Sequence, residues 1–228
     1  MNTLLDEIRS QLDAFLRPEQ DLRQARKRQR ILAAATDRFI AHGYRKTSID
    51  DIARAAGVAK GTVYLYYRSK PELLFHAMAL EQRGYLDRLA PLGERGLSPL
   101  ERLRRFIALA VIVSRDMPLV TRLTGGDHEL ALAIEEVDAE VLEGISRVEI
   151  SLTVDLIDAA TNRTWPAEEL ERRARVLIDT VYAVVTAGGV LRPALPLEES
   201  AHLLAATLTS GVLHVRPEES QLRQASHP

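Results

Sequence analysis

The chain of 228 residues contains no cysteine, which excludes disulfides and thiolate chemistry and suits a reducing compartment. Long apolar runs are missing too. The best unbroken one, IALAVIV at 107–113, is far too short to span a bilayer, and the N-terminal MNTLLDEIRSQLDAF is acidic and polar where a signal peptide needs a basic start and an apolar core. A cytoplasmic protein without a membrane partner is therefore expected. Catalytic signatures are equally absent: there is no G-x-S-x-G, no P-loop and no G-x-G-x-x-G. His128-Glu129 begins H-E-x-x-H, but Leu132 stands where the second histidine belongs. The remaining histidines are scattered, and a metal site built from His128, His202 and His214 is not expected. The Asn162-Arg163-Thr164 sequon has no meaning in a cytoplasmic protein. Neither catalytic residues, nor a cofactor, nor a metal are expected, and the chain does not read as an enzyme.

What is present is unevenly placed. The formal net charge of −2 conceals a net −3 over residues 1–21, +9 over 22–70 and −8 over 71–228. A positive segment of this length fused to a negative remainder points to a polyanion at one end and a different task at the other. A solvated basic face is the competing explanation from charge alone.

Within the basic segment, LRQARKRQRILAAATDRFIAH (22–42) places Ile31, Leu32, Ala35 and Phe39 at helical spacing and is stopped by Gly43. TSIDDIARAAG reads as a short second helix with an inward stripe of Ile49, Ile52 and Ala53. Thr47 and Asp50 form its expected capping box, and Gly57 suits a left-handed terminus. Val63, Tyr64 and Tyr67 mark a third helix of about two turns, closed by Ser69 and Glu72 as a second capping box with Pro71 in the next first turn. Two short helices joined by a Gly-containing turn and braced by a longer one make a helix-turn-helix, whose second member enters the DNA major groove. On that helix, residues 60, 64 and 67 share one side and 62, 66 and 70 another, so the three tyrosines divide their roles. Tyr67 is expected in the core and the other two outside.

ILAAATDRFIAHGYRKTSIDDIARAAGVAKGTVYLYYRSKPELL, residues 31–74, resembles the N-terminal DNA-binding domain of the TetR/AcrR family of bacterial transcriptional regulators, with the A-G-V-x-K-G-T-x-Y-x-Y-aromatic-x-S-K core intact. The resemblance implies that Thr47 and Tyr64 contact phosphates, that Lys60, Gly61, Thr62 and Tyr66 sit at the groove, and that Lys70 binds backbone phosphate. Physical chemistry agrees with the residue types. Lysines and hydroxyls at helix N-termini are phosphate ligands, while Tyr or Thr in the groove offers a hydroxyl and an apolar edge for a thymine methyl. Thr47 can equally be a helix cap. Arg26, Lys27, Arg28 and Arg30 read as a solvated basic face near DNA. Ala59 departs from the family's commonest form, in which Ser caps this helix, and the loss of a cap costs ~1 kcal/mol.

The fold class expected is all-α: a three-helix helix-turn-helix domain (22–70) followed by a larger helical ligand-binding and dimerisation bundle (71–216). An extra amphipathic helix (1–21) with Leu5, Ile8, Leu12 and Phe15 on one face precedes them, and a flexible tail (217–228) ends the chain. Breaks fall at 91–99, 115–118, 124–127, 161–166 and 188–196, leaving one long apolar helix over 127–160. By the resemblance, the bundle binds an effector and the last two long helices, 166–188 and 197–214, make a homodimer that recognises a palindromic operator in double-stranded DNA. Leu170, Leu177, Val181, Val184, Leu203, Leu204, Leu208 and Val212 form their apolar stripes. These stripes can also close a monomeric core. The bundle is mainly aliphatic, with Phe106, Trp165 and Tyr182 among few aromatics, so the unknown small-molecule effector is expected to be apolar or amphipathic. The reading that results is a ligand-responsive repressor, from which an activator of the same architecture is indistinguishable. The alternative is a helical small-molecule-binding protein or enzyme with an incidental basic N-terminus.

Overall fold

The computed structural model describes residues 22–93, 96–135, 139–162, 165–187 and 195–214, together with the single positions Asp6, Arg9, Ser10, Asp13 and Leu16. The described residues form ten α-helices: α1 (Leu22–His42), α2 (Ile49–Ala56), α3 (Lys60–Tyr66), α4 (Lys70–Leu89), α5 (Pro99–Val113), α6 (Pro118–Thr124), α7 (His128–Glu135), α8 (Ala139–Ala160), α9 (Ala167–Ala187) and α10 (Leu197–His214). Short 3₁₀ turns at Ala90–Gly93 and Ser114–Asp116 bend the chain after α4 and α5.

Local chemistry explains the boundaries. α1 ends at Gly43, and α2 at Gly57, whose φ of 62° lies in the left-handed region that a side chain resists. The capping box of α2 is shifted by one residue from the sequence expectation: Ser48 accepts from the backbone N–H of Asp51, and the Asp51 carboxylate accepts from that of Ser48. The Ser48 hydroxyl, which also donates to the Asp51 carboxylate, and next the Ser48 N–H hold that carboxyl below its ordinary range. Ser69 caps α4 and Ser98 caps α5, each with proline in the first turn. Ala59 precedes α3 without a side-chain cap, as its type requires.

Two apolar cores result. Ile31, Phe39, Ile52 and Val63 of α1–α3, with Tyr67 just after α3, meet Leu73, Leu74, Met117, Leu119 and Leu130 in the first; Leu86, Leu103, Ile107, Leu156, Leu177 and Leu213 lie in the second. α4 passes from one to the other between Met78 and Ala79. The helix expected over 127–160 is described as α7 and α8, with 136–138 outside the described residues, and its apolar stripe divides with it: Leu130 and Ile134 serve the first core, Leu152 and Leu156 the second. In the second core α10 lies along α5, and α9 packs on α8.

Of the expected N-terminal helix, the five described positions are helical, while Leu5, Ile8, Leu12, Phe15 and the tail 217–228 lie outside the described residues. Asp13 pairs with Arg83 at 2.7 Å and Arg9 with Asp87 at 3.1 Å, so this segment meets the C-terminal half of α4, and Leu16 packs on the second core.

Candidate functional site

The helix-turn-helix is built from its buried side outward. Val63 and Tyr67 anchor α3 in the first core, where Tyr67 lies edge-on to His76 and beneath the Arg28 guanidinium. With those two positions turned inward, Lys60, Gly61, Tyr64 and Leu65 face solvent. Tyr64 is 48% exposed and Leu65 82% exposed. A Cβ at Gly61 would meet no atom within 4 Å, so nothing inside the protein demands glycine there, and the bare backbone is available to a close external partner. Thr62 is half-buried beside it. Lys60 stands at the start of α3, 2.7 Å from Asp50, and that hydrogen bond raises its pKa.

Three candidates sit differently from the expectation. Thr47 is only 2% exposed, and its hydroxyl lies 2.8 Å from the Gly43 carbonyl and 3.1 Å from that of Arg38. Its side chain braces the α1–α2 turn and neither caps α2 nor faces outward. Tyr66 is half-buried against the first core, and the outward position falls to Leu65. Lys70 donates to the carbonyls of Tyr44 (3.0 Å) and Thr47 (3.1 Å) and lies over the Tyr44 ring, with burial lowering its pKa. It therefore bolts the turn to the start of α4. Arg30, expected on a solvated face, donates to the Ala56 and Gly57 carbonyls and so closes the C-terminus of α2. Leu65 was legible in principle: on a seven-residue helix whose Val63 and C-cap Tyr67 point inward, residue 65 cannot.

A second feature lies in the bundle. A partly open cavity of about 60 Å³ lies between α4, α5, α6, α8 and α9. Its walls are mostly apolar, with Phe106, Ile107, Leu177 and Val181 among them. Into it project Gln82, Tyr85, Glu149 and Tyr182, and the Tyr182 hydroxyl donates to Glu149 Oε1 at 2.7 Å. Burial raises the Glu149 carboxyl above its usual range while the Tyr182 hydrogen bond opposes the shift; burial also raises both tyrosine hydroxyls. Among these, only Tyr182 follows from the scarcity of aromatics. Glu149 had a signal, since it lies four residues after Ile145 and three before Leu152, on the apolar stripe itself.

The two features share α6. Met117, Val120 and Thr121 line the cavity, while Met117, Leu119 and Val120 belong to the first core. Glu81 of α4 accepts from the N–H groups of Leu119 and Val120 and fixes the start of α6; burial pushes its pKa up to about 7 against those two bonds. Arg122 pairs with Asp127 and donates to the Phe39 carbonyl at the end of α1, and Glu129 accepts from the Arg45 N–H. Among the described residues there is no cluster of three or more potential metal ligands, and no helix is long and apolar enough to cross a membrane.

An all-helical chain with an outward-facing second helix of this kind is a helix-turn-helix nucleic-acid-binding protein in class. The family of bacterial regulatory proteins named for TetR matches residues 31–77. The HTH-type transcriptional repressor KstR of Rhodococcus jostii (strain RHA1) is 30% identical over 158 residues, covering 68% of this chain and 69% of KstR. The HTH-type transcriptional regulator RutR of Escherichia coli (strain K12) is 39% identical over 100 residues, 42% of this chain and 45% of RutR. The chain thus spans about half the length of that curated relative. A crystal structure of a TetR-like transcriptional regulator from Rhodococcus sp. RHA1 superposes with a TM-score of 0.61 at 28% identity, covering 81% of this chain and 94% of the other. The chain belongs to the TetR family of bacterial transcriptional regulators.

Proposed function

We propose that the protein is a ligand-responsive transcriptional repressor that binds duplex DNA as a homodimer through residues 22–70 and leaves it when a small molecule occupies the bundle cavity. The carrying observation is the outer face of α3, where Lys60, Gly61, Tyr64 and Leu65 stand in solvent on a helix anchored from behind by Val63 and Tyr67. Lys60 and Tyr64 reach phosphates; Gly61 lets the backbone approach, and Thr62 and Leu65 meet base edges, the leucine suiting a thymine methyl. Thr47 and Lys70 act by shaping the turn, with phosphate reached through backbone or through the remaining Lys70 donor. Tyr66 supports the helix from its half-buried position.

One α3 reads only a few base pairs, so a specific site needs a second copy a helical turn away. On α9 and α10, Val176 is 58% exposed and Leu203 is 55% exposed, apolar side chains that a second subunit would cover. Val181 is buried in the protein's own core and is not part of that face. The cavity as it stands has room for only a few waters. A larger effector must move its walls, and the α6 wall is also part of the first core, which gives binding a route to the spacing of the two α3 helices. Apolar walls with a few polar groups suit an apolar or amphipathic effector.

The test is fluorescence anisotropy on duplex DNA across a salt series. Binding should weaken steeply with salt, and Lys60→Ala should reduce the log–log slope by about one. Salt-independent binding, or none, would instead favour a small-molecule-binding protein whose basic segment is incidental.

A further inference from the structure

The cavity's charge is one-sided. Among the described lining residues Glu149 is the one acid, and none is Lys, Arg or His. A further charge acting on Glu149 is that of Asp179, also negative, one turn before Tyr182 on α9. The Glu149 carboxylate accepts a hydrogen bond from a neutral phenol, that of Tyr182. A carboxylate held in an apolar wall with neutral partners is costly to keep ionised, and the cost falls when a positive charge joins it. Around it stand Gln82, whose amide oxygen can accept, and the rings of Tyr85, Phe106 and Tyr182, whose faces attract cations.

We propose that the cavity recognises a lipophilic cation, a protonated amine carried on an apolar body, with Glu149 as its counter-charge. This rests on the reading of the cavity as the effector site and narrows the ligand's chemistry. The ammonium donates to Glu149 and to the Gln82 side-chain oxygen, while the apolar body lies against Ile107, Leu177 and Val181 and spreads the α6 wall. A carboxylate or phosphate head group would meet Glu149 and the Asp179 field with like charge, and no described lining residue is a compensating cation.

The experiment holds the apolar body constant and changes the head. Octylamine, octanol and octanoate are titrated calorimetrically, near neutral pH, into the full chain and into Glu149→Gln and Tyr182→Phe. In parallel, each is added to the protein bound to a duplex selected from a randomised pool. Octylamine should bind about tenfold or more tighter than octanoate, with octanol between them. Glu149→Gln should erase most of that preference while changing octanol affinity little, and Tyr182→Phe should retain it. Equal or tighter octanoate binding, or an unchanged preference in Glu149→Gln, overturns the proposal. If Glu149→Gln does not fold, the head-group order in wild type and Tyr182→Phe decides it. Charge-selective binding that leaves DNA bound supports the ligand class and overturns the effector reading, whereas DNA release by octanoate alone does the reverse.

Discussion

At α3, Lys60, Tyr64 and Leu65 stand in water and wait for a partner, whereas in the cavity Glu149 and Tyr182 are drawn into an apolar wall and answer each other. The first arrangement costs little to maintain and, in the proposed DNA-binding role, would gain its energy from counterion release and be tuned by salt. The second keeps a carboxyl where water is scarce, so it is tuned by charge and by protonation. The two are separate in chemistry yet joined mechanically, because α6 packs in the first core and also lines the cavity. The proposed regulator would use that combination: a site that binds without specialised burial, and a site whose occupancy is felt through packing.

The largest effect expected comes from the core behind α3, which α6 joins to the cavity. Phe39→Ala empties a fully buried position in the first core and should cost ~3–5 kcal/mol. Urea unfolding followed by circular dichroism and by Trp165 fluorescence should move together; two separated transitions would show that the cores are energetically independent. Leu203→Glu should come next, costing roughly 2 kcal/mol or more of dimer stability with the fold intact. Light scattering checks it, and an unchanged dimer with full DNA affinity would move the interface elsewhere.

Glu81 supplies the pH test. Its folded pKa of about 7 exceeds the ordinary 4.5, so between those values the folded chain keeps a proton that the unfolded chain releases. Stability should therefore fall as pH rises through this window and stay level above it. Against Glu81→Gln, the loss should be about 1–2 kcal/mol after allowing for partial exposure. Urea midpoints at both ends of the window measure it, and a rise with pH would mean that the α6 N–H groups outweigh burial. The smallest effect expected is at the DNA face, where Leu65→Ala should weaken the preferred duplex by about 1 kcal/mol and random duplex hardly at all, read by competition binding. Equal loss on both would remove Leu65 from sequence reading.

The sequence by itself determined what depends on near neighbours. Gly43 and Gly57 terminate helices because their backbone conformations are local; Ser69 and Ser98 cap for the same reason; and the 31–74 pattern carries the family because its core, turn and contact residues lie within one short segment. Even here a one-residue choice escaped, Ser48 over Thr47, since adjacent hydroxyls both satisfy the capping pattern and only the packed turn shows which is buried. The tertiary structure decided the rest. That Lys70 and Arg30 hold carbonyls, that Val181 faces inward, and that Glu149 meets Tyr182 across 33 positions all depend on which helices pack together. Helical periodicity gives each helix its apolar face but not its neighbour, and a cavity exists only between neighbours.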